Sequence, residues 1–161
     1  MSNDTKDKII KLLTDYPELK RKINLLRYEL EHPATVTPED LLESMNFAKG
    51  TGEGHPSGSV SNKTLYIAMN YKYEAEKMNT DNVSEILSRL LPLEQQAKKI
   101  EYYLSLLSRD EQEVIRRFFF ERESLNSISE SMGISLWATR KIRNDTIQKL
   151  SEMHDFVNGS E

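Results

Sequence analysis

The chain contains no cysteine, which excludes disulfides and thiolate metal sites and fits a reducing compartment, so a cytoplasmic location is expected. Long apolar runs are missing too. No stretch approaches the roughly 18 apolar residues that read as a membrane-spanning helix, and the opening Met1-Ser2-Asn3-Asp4-Thr5-Lys6-Asp7 has no apolar signal core. Histidine is scarce: His32, His55 and His154 are isolated, with no second histidine at a metal-ligand spacing. The carboxylates are scattered over solvated faces. No catalytic group, metal, cofactor or small-molecule substrate is therefore expected, and the chain does not read as an enzyme. Of the six glycines, four (Gly50, Gly52, Gly54 and Gly58) fall in one Gly/Ser-rich stretch, which reads as a flexible linker over 49–64. Gly52-Glu53-Gly54 lacks the Gly-Lys-Ser/Thr and the preceding strand of a phosphate-binding loop. Strand-like alternation is absent as well, so an all-α fold is expected.

What is present is charge and helical periodicity. Charged residues make up 30% and the hydrophobic set 37% of 161 residues, enough for one domain or two small ones with a modest core. Over Thr5 to Glu31, the residues Ile9, Leu12, Tyr16, Leu19, Ile23, Leu26 and Leu30 recur alternately three and four apart, a heptad-like seam. Pro17 predicts a kink or a break, with Asp15 capping the second part. His32-Pro33 ends this N-terminal segment's long helix, and Thr37-Pro38-Glu39-Asp40 opens a brief helical turn within the segment 1–48. Central helices occupy 65–107. In the first of them, Met69 and Tyr66, Tyr71 and Tyr73 suit core and partner contacts better than a nucleic-acid stacking platform, since only Lys72 is interleaved. Asn79-Thr80-Asp81-Asn82 predicts a break, and Pro92 predicts the first turn of another helix. That helix carries a second seam, Leu93, Ala97, Ile100, Leu104 and Leu107, expected to pack against the first seam or to build a homodimer.

The stretch 108–152 is the most specific. Ser108 and Glu111 form a capping-box pattern, and Val114, Ile115, Phe118 and Phe119 supply an apolar face to pack behind two further helices. Ser124 caps the first of these, a short helix with the face Leu125, Ile128 and Met132. Gly133 stands where the chain must turn through positive φ. Small Ser129 permits close helix crossing, Ile134 plugs the corner, and Ser135 caps a second helix running to about Leu150, after which a tail over 153–161 is expected to fray. Helix, glycine turn and helix make a helix-turn-helix. On the second helix, Thr139, Ile142, Thr146 and Leu150 share one face. Trp137, Arg140, Lys141, Asn144 and Gln148 share the other. Arginine and lysine suit guanine, and asparagine and glutamine suit adenine, in the major groove of double-stranded DNA, so these five are the expected base contacts. Ser124, Ser135, Arg143 and Lys149 are the expected phosphate contacts. The net charge is −4, so the basic face is local.

Residues 107–150 resemble region 4 of bacterial sigma factors: Leu107 to Phe120 (LSRDEQEVIRRFFF) aligns without gaps with that domain's first helix. The SLNSISESMGIS run matches its motif and IRNDTIQKL its closing helix. A broader resemblance, to the RinA/ArpU family of phage late-gene transcription activators, rests on Asp15-Tyr16-Pro17, on Leu26-Arg27, on the Gly/Ser loop ending at Ser61-Asn62-Lys63-Thr64 and on the sigma-like C-terminus. Leu136 and Trp137 depart from the family pattern and leave the base preference open. The resemblance implies an activator of late genes in a bacterial host, acting with the host RNA polymerase. The alternative readings are a helical interaction adaptor or antirepressor, and a minimal sigma-like factor. A homodimer would predict two half-sites about one helical turn apart.

Overall fold

The structure, a computed structural model, describes residues 3–47 and 62–159. Among these residues every regular element is helical, as the sequence predicts. The helices are α1 (Asn3–Glu31), α2 (Pro38–Phe47), α3 (Asn62–Ser105), α4 (Arg109–Ile115), α5 (Leu125–Met132) and α6 (Leu136–Asn158), with a π-helical turn at Arg116–Phe120 between α4 and α5. The predicted linker lies outside the described residues but for its end, which is already helical in α3. No helix among the described residues is long and apolar enough to cross a membrane.

The chain divides into two compact units, one of residues 1–24 with 92–161 and one of residues 25–91. The division cuts across the segments 1–48 and 65–107 rather than falling between them. In the first unit, α1 contributes buried Ile9, Leu13, Leu19 and Ile23, and the end of α3 contributes Ala97, Ile100, Tyr103 and Leu107. The Tyr16 hydroxyl donates to Glu101 at 2.6 Å, and Lys20 Nζ reaches the same carboxylate oxygen at 2.9 Å. The two seams therefore meet within one chain. Burial and then this hydrogen bond push the Tyr16 phenol above its ordinary value. Leu13 is buried more deeply than Leu12, the residue that a heptad repeat places on the seam. A straight helix turns every 3.6 residues and drifts off a strict seven-residue repeat.

Pro17 neither splits α1 nor leaves Asp15 as a cap: both lie inside one helix of 29 residues. Proline removes one backbone donor and crowds the preceding turn. Buried Leu13 and Leu19, on either side of it, hold the segment to the core regardless. Pro92 likewise lies inside α3, and Asn79-Thr80-Asp81-Asn82 does not break it. The one irregular residue within α3 is Asn70, with φ −122° and ψ 21°.

The second unit explains why its polar run stays helical. Asn79 spends its side chain on tertiary bonds, accepting from Val36 N–H at 2.8 Å and donating to Val36 C=O at 3.1 Å. Asn82 adds a bond to the Ala34 carbonyl at 3.4 Å. These asparagines tie down the connection between α1 and α2 instead of capping a new helix. Leu26, Ala75, Ile86 and Leu90 are buried, whereas Met69 and Tyr73, expected as core and partner contacts, stand exposed and are not part of the core. Thr37 and Asp40 bond reciprocally at the start of α2, at 2.9 and 3.1 Å. These bonds, from the Thr37 backbone first, hold the Asp40 carboxyl below its usual value. At the end of α1, His32 stacks on Tyr28 with ring centroids 4.3 Å apart and bonds its carbonyl.

Candidate nucleic-acid interface

Local rules position the motif. The Ser108 hydroxyl accepts from Glu111 N–H, while Ser108 N–H donates to the Glu111 carboxylate at 2.8 Å, completing the capping box that starts α4. Ser124 caps α5 by accepting from Ser127 N–H at 3.2 Å, and Ser135 caps α6 by accepting from Ala138 N–H at 3.1 Å. Gly133 adopts φ 67° and ψ 29°. Its N–H donates to Glu130 C=O, and Ile134 N–H donates to Ser129 C=O, the paired bonds of a Schellman turn. Both α4 and α5 pack on α6. The closing face is dry: Val114, Ile115, Ile128, Thr139 and Thr146 have essentially no exposed surface, and Ser129 is buried. Thr139 and Thr146 satisfy their hydroxyls on the carbonyls of Ser135 and Ile142, one turn back in each case.

The opposite face of α6 is open. Trp137 is 71% exposed, and Arg140, Lys141 and Asn144 are exposed beside it. Lys141 Nζ sits 5.5 Å from the centre of the Trp137 ring, so the indole is braced by a cation–π contact on its own helix. Arg140 has no polar partner among the described residues. Arg143 is half-buried: its guanidinium lies over the Phe118 ring at 5.1 Å and donates to Asn144 Oδ1 at 2.8 and 3.1 Å. Gln148, half-buried, donates to Glu152 at 2.8 Å.

Lys149 is not a free cation. It pairs with Glu111 at 2.5 Å, joining α6 to the first turn of α4. Burial pushes the Glu111 carboxyl up. The bonds from Lys149 and from Ser108 outweigh that and leave it below its ordinary value.

Sequence reasoning missed the link between α4 and α5. There the helix widens into the π-helical turn, and Arg122 takes φ 56° without being glycine. Arg117 grips Glu123 with two bonds, at 2.6 and 2.9 Å, and also contacts the Ser131 hydroxyl. Glu123 in turn accepts from the Ser127 hydroxyl at 3.1 Å. The only trace of this clamp in the sequence is a set of charges, Arg116, Arg117, Glu121 and Glu123, whose pairing depends on the turn itself.

Over 153–158 the expected tail is instead helix. α6 runs to Asn158 and ends on Gly159 at φ 66°. Thr5 donates to Asp155 at 3.0 Å, and Ser151 is 2% exposed, so the last turns of α6 are tied to the start of α1.

Residues 103–152 match the family model described as Sigma-70, region 4. No curated protein and no solved structure matches the chain significantly. The C-terminal portion is a sigma region 4-like helix-turn-helix, a domain type that serves DNA binding in transcription.

Proposed function

We propose that the chain is a sequence-specific, non-enzymatic transcription regulator of the bacterial cytoplasm that places α6 in the major groove of a promoter or operator. Trp137, Arg140, Lys141 and Asn144 meet base edges, and Gln148 reaches the edge of the site. Arg143 and the capped helix starts at Ser124 and Ser135 hold phosphates. Lys149 joins them once a phosphate displaces Glu111. The observation that carries this reading is the two-sidedness of α6. Thr139 and Thr146 are sealed against α4 and α5, while the side bearing Trp137 and Arg140 is open to solvent.

The resemblance to the RinA/ArpU family extends this to activation of phage late genes together with the host RNA polymerase. The matched sigma region 4 supports the polymerase contact, since that domain type works with polymerase in general.

Selection of bound fragments from random DNA tests the first part. A single recurring motif is expected, with mobility shifts that weaken as salt rises, because phosphate neutralisation releases counterions. Enrichment of no sequence would overturn it. Transcription from a late promoter tests the second. Stimulation of polymerase carrying its own sigma factor is expected, whereas initiation with core polymerase alone would instead mark a minimal sigma-like factor.

A further inference from the structure

An asparagine side chain carries one acceptor atom, Oδ1 with two lone pairs, and two N–H donors on Nδ2. Pairing with adenine uses both kinds: the oxygen accepts from N6 and the nitrogen donates to N7. In α6 the oxygen of Asn144 is already taken. Arg143, the residue before it, donates to that oxygen from Nε at 3.1 Å and from Nη2 at 2.8 Å, which fills both lone pairs. A guanidinium only donates, so the amide cannot turn its nitrogen towards it. Arg143 is itself held, half-buried and lying over the Phe118 ring at 5.1 Å, and its Nη1 is left for a phosphate. Asn144, which is exposed, therefore presents its two N–H groups outward, without a partner among the described residues. A cation on the oxygen polarises the amide and strengthens those donors.

We propose that Arg143 is a positioning residue that makes Asn144 a reader of guanine rather than of adenine. The inference rests on the reading of α6 as the helix that enters the major groove. There guanine offers two acceptors, N7 and O6, whereas adenine sets the N6 donor beside its one acceptor. Thymine offers a single acceptor and cytosine a donor. An amide with only N–H groups to give meets both guanine atoms and leaves adenine N6 facing a donor. Arg140 and Lys141, exposed one turn earlier on the same side, also only donate and suit guanine likewise. Asp145, the nearest carboxylate in sequence, is exposed but stands about 100° further round the helix.

The test is selection of bound fragments from random duplex DNA by the full chain, repeated with Asn144→Ala, Asn144→Asp and Arg143→Met. Asn144→Ala identifies the base pair that this residue reads, as the position whose preference disappears. There the wild type should favour guanine over adenine by about fivefold or more. Arg143→Met, in which the methionine still covers Phe118, frees Oδ1 and should move that position towards adenine while the others keep their bases. Its overall affinity should fall with the loss of a phosphate contact, but base preference is compared within each variant and does not follow affinity. Asn144→Asp leaves Arg143 in place and keeps its contact, yet has no N–H to give, so the guanine preference should vanish. Adenine at that position in the wild type would overturn the proposal, as would guanine retained in Arg143→Met or in Asn144→Asp. So would an Asn144→Ala variant that alters no position. A wild type that enriches no sequence would sink the DNA reading of α6 itself, and this inference with it.

Discussion

Gly133 stands at φ 67° with nothing within 4 Å of where a Cβ would be placed. Its replacement is therefore opposed by the backbone alone and not by a clash. Gly133→Ala is expected to destabilise the protein by about 1 kcal/mol, the cost of holding an alanine left-handed, and Gly133→Asn by less. Urea denaturation of the two variants checks the order; a loss several times larger would mean that the Schellman turn itself had come apart. Arg140 is the clearest residue to test on the other side of α6, since it is exposed and keeps no polar partner among the described residues. Arg140→Ala should leave stability within about 0.5 kcal/mol. It should weaken specific DNA binding by roughly 1–3 kcal/mol if the guanidinium pairs with guanine. Unchanged affinity for the selected site would remove Arg140 from base readout. Residues of this kind were legible because their roles are local. A serine three residues before the N–H it accepts, or a glycine after the last turn, carries its meaning within a few positions. The partner of Lys149 was not legible, because Glu111 lies far away in the chain and only the packing of α4 on α6 brings them together.

Elements were harder to read wherever proline and asparagine do something other than their usual work. Pro17 and Pro92 both sit inside helices, and Asn79 and Asn82 bond the segment before α2 instead of ending α3. Local propensity is a weak signal against burial on both sides of a site. The ion pair that fastens α4 to α6 gives the prediction proper to this scale. In Glu111→Gln, the amide oxygen can still accept from Ser108 N–H, so the capping box survives and the charge on Lys149 loses its partner. A loss of roughly 0.5–1 kcal/mol at neutral pH is expected, modest because Lys149 is about half exposed. The sign with pH is set by the lowered folded-state value of Glu111. Its contribution is present above the ordinary carboxylate range and is lost as pH falls through the lowered value. Wild type and variant should therefore differ at neutral pH and converge in acid. Denaturation at several pH values would show this, and a gap that persists in acid would assign the loss to packing.

At the scale of the whole molecule, the matched segment 103–152 is not where its own packing ends. In the unit made of residues 1–24 and 92–161, six buried hydrophobic residues among those described lie outside that segment: Ile9, Leu13, Leu19, Ile23, Ala97 and Ile100. Within the segment, Leu150 and Tyr103 border the same cavity as Ile9, Leu13 and Ile100. The seams of α1 and α3 were visible in the sequence. That α1 completes a fold whose recognisable part lies almost a hundred residues later was not, because periodicity names a face and not its partner. Excising 103–152 should therefore leave a helix-turn-helix whose inner half survives, since Val114, Ile115, Ile128, Thr139 and Thr146 seal one another, but whose outer half is uncovered. Each lost large side chain is worth about 1.5–3 kcal/mol of burial, and a chain so short is marginal alone. The fragment is expected to unfold at much lower urea than the full chain, with hydrogen-exchange protection lost first at Tyr103 and Leu150 and kept longest at Ile128 and Thr139. Equal stability of fragment and full chain would show that α1 is an accessory to this fold. Uniform loss of protection would show instead that the helix-turn-helix cannot stand without it.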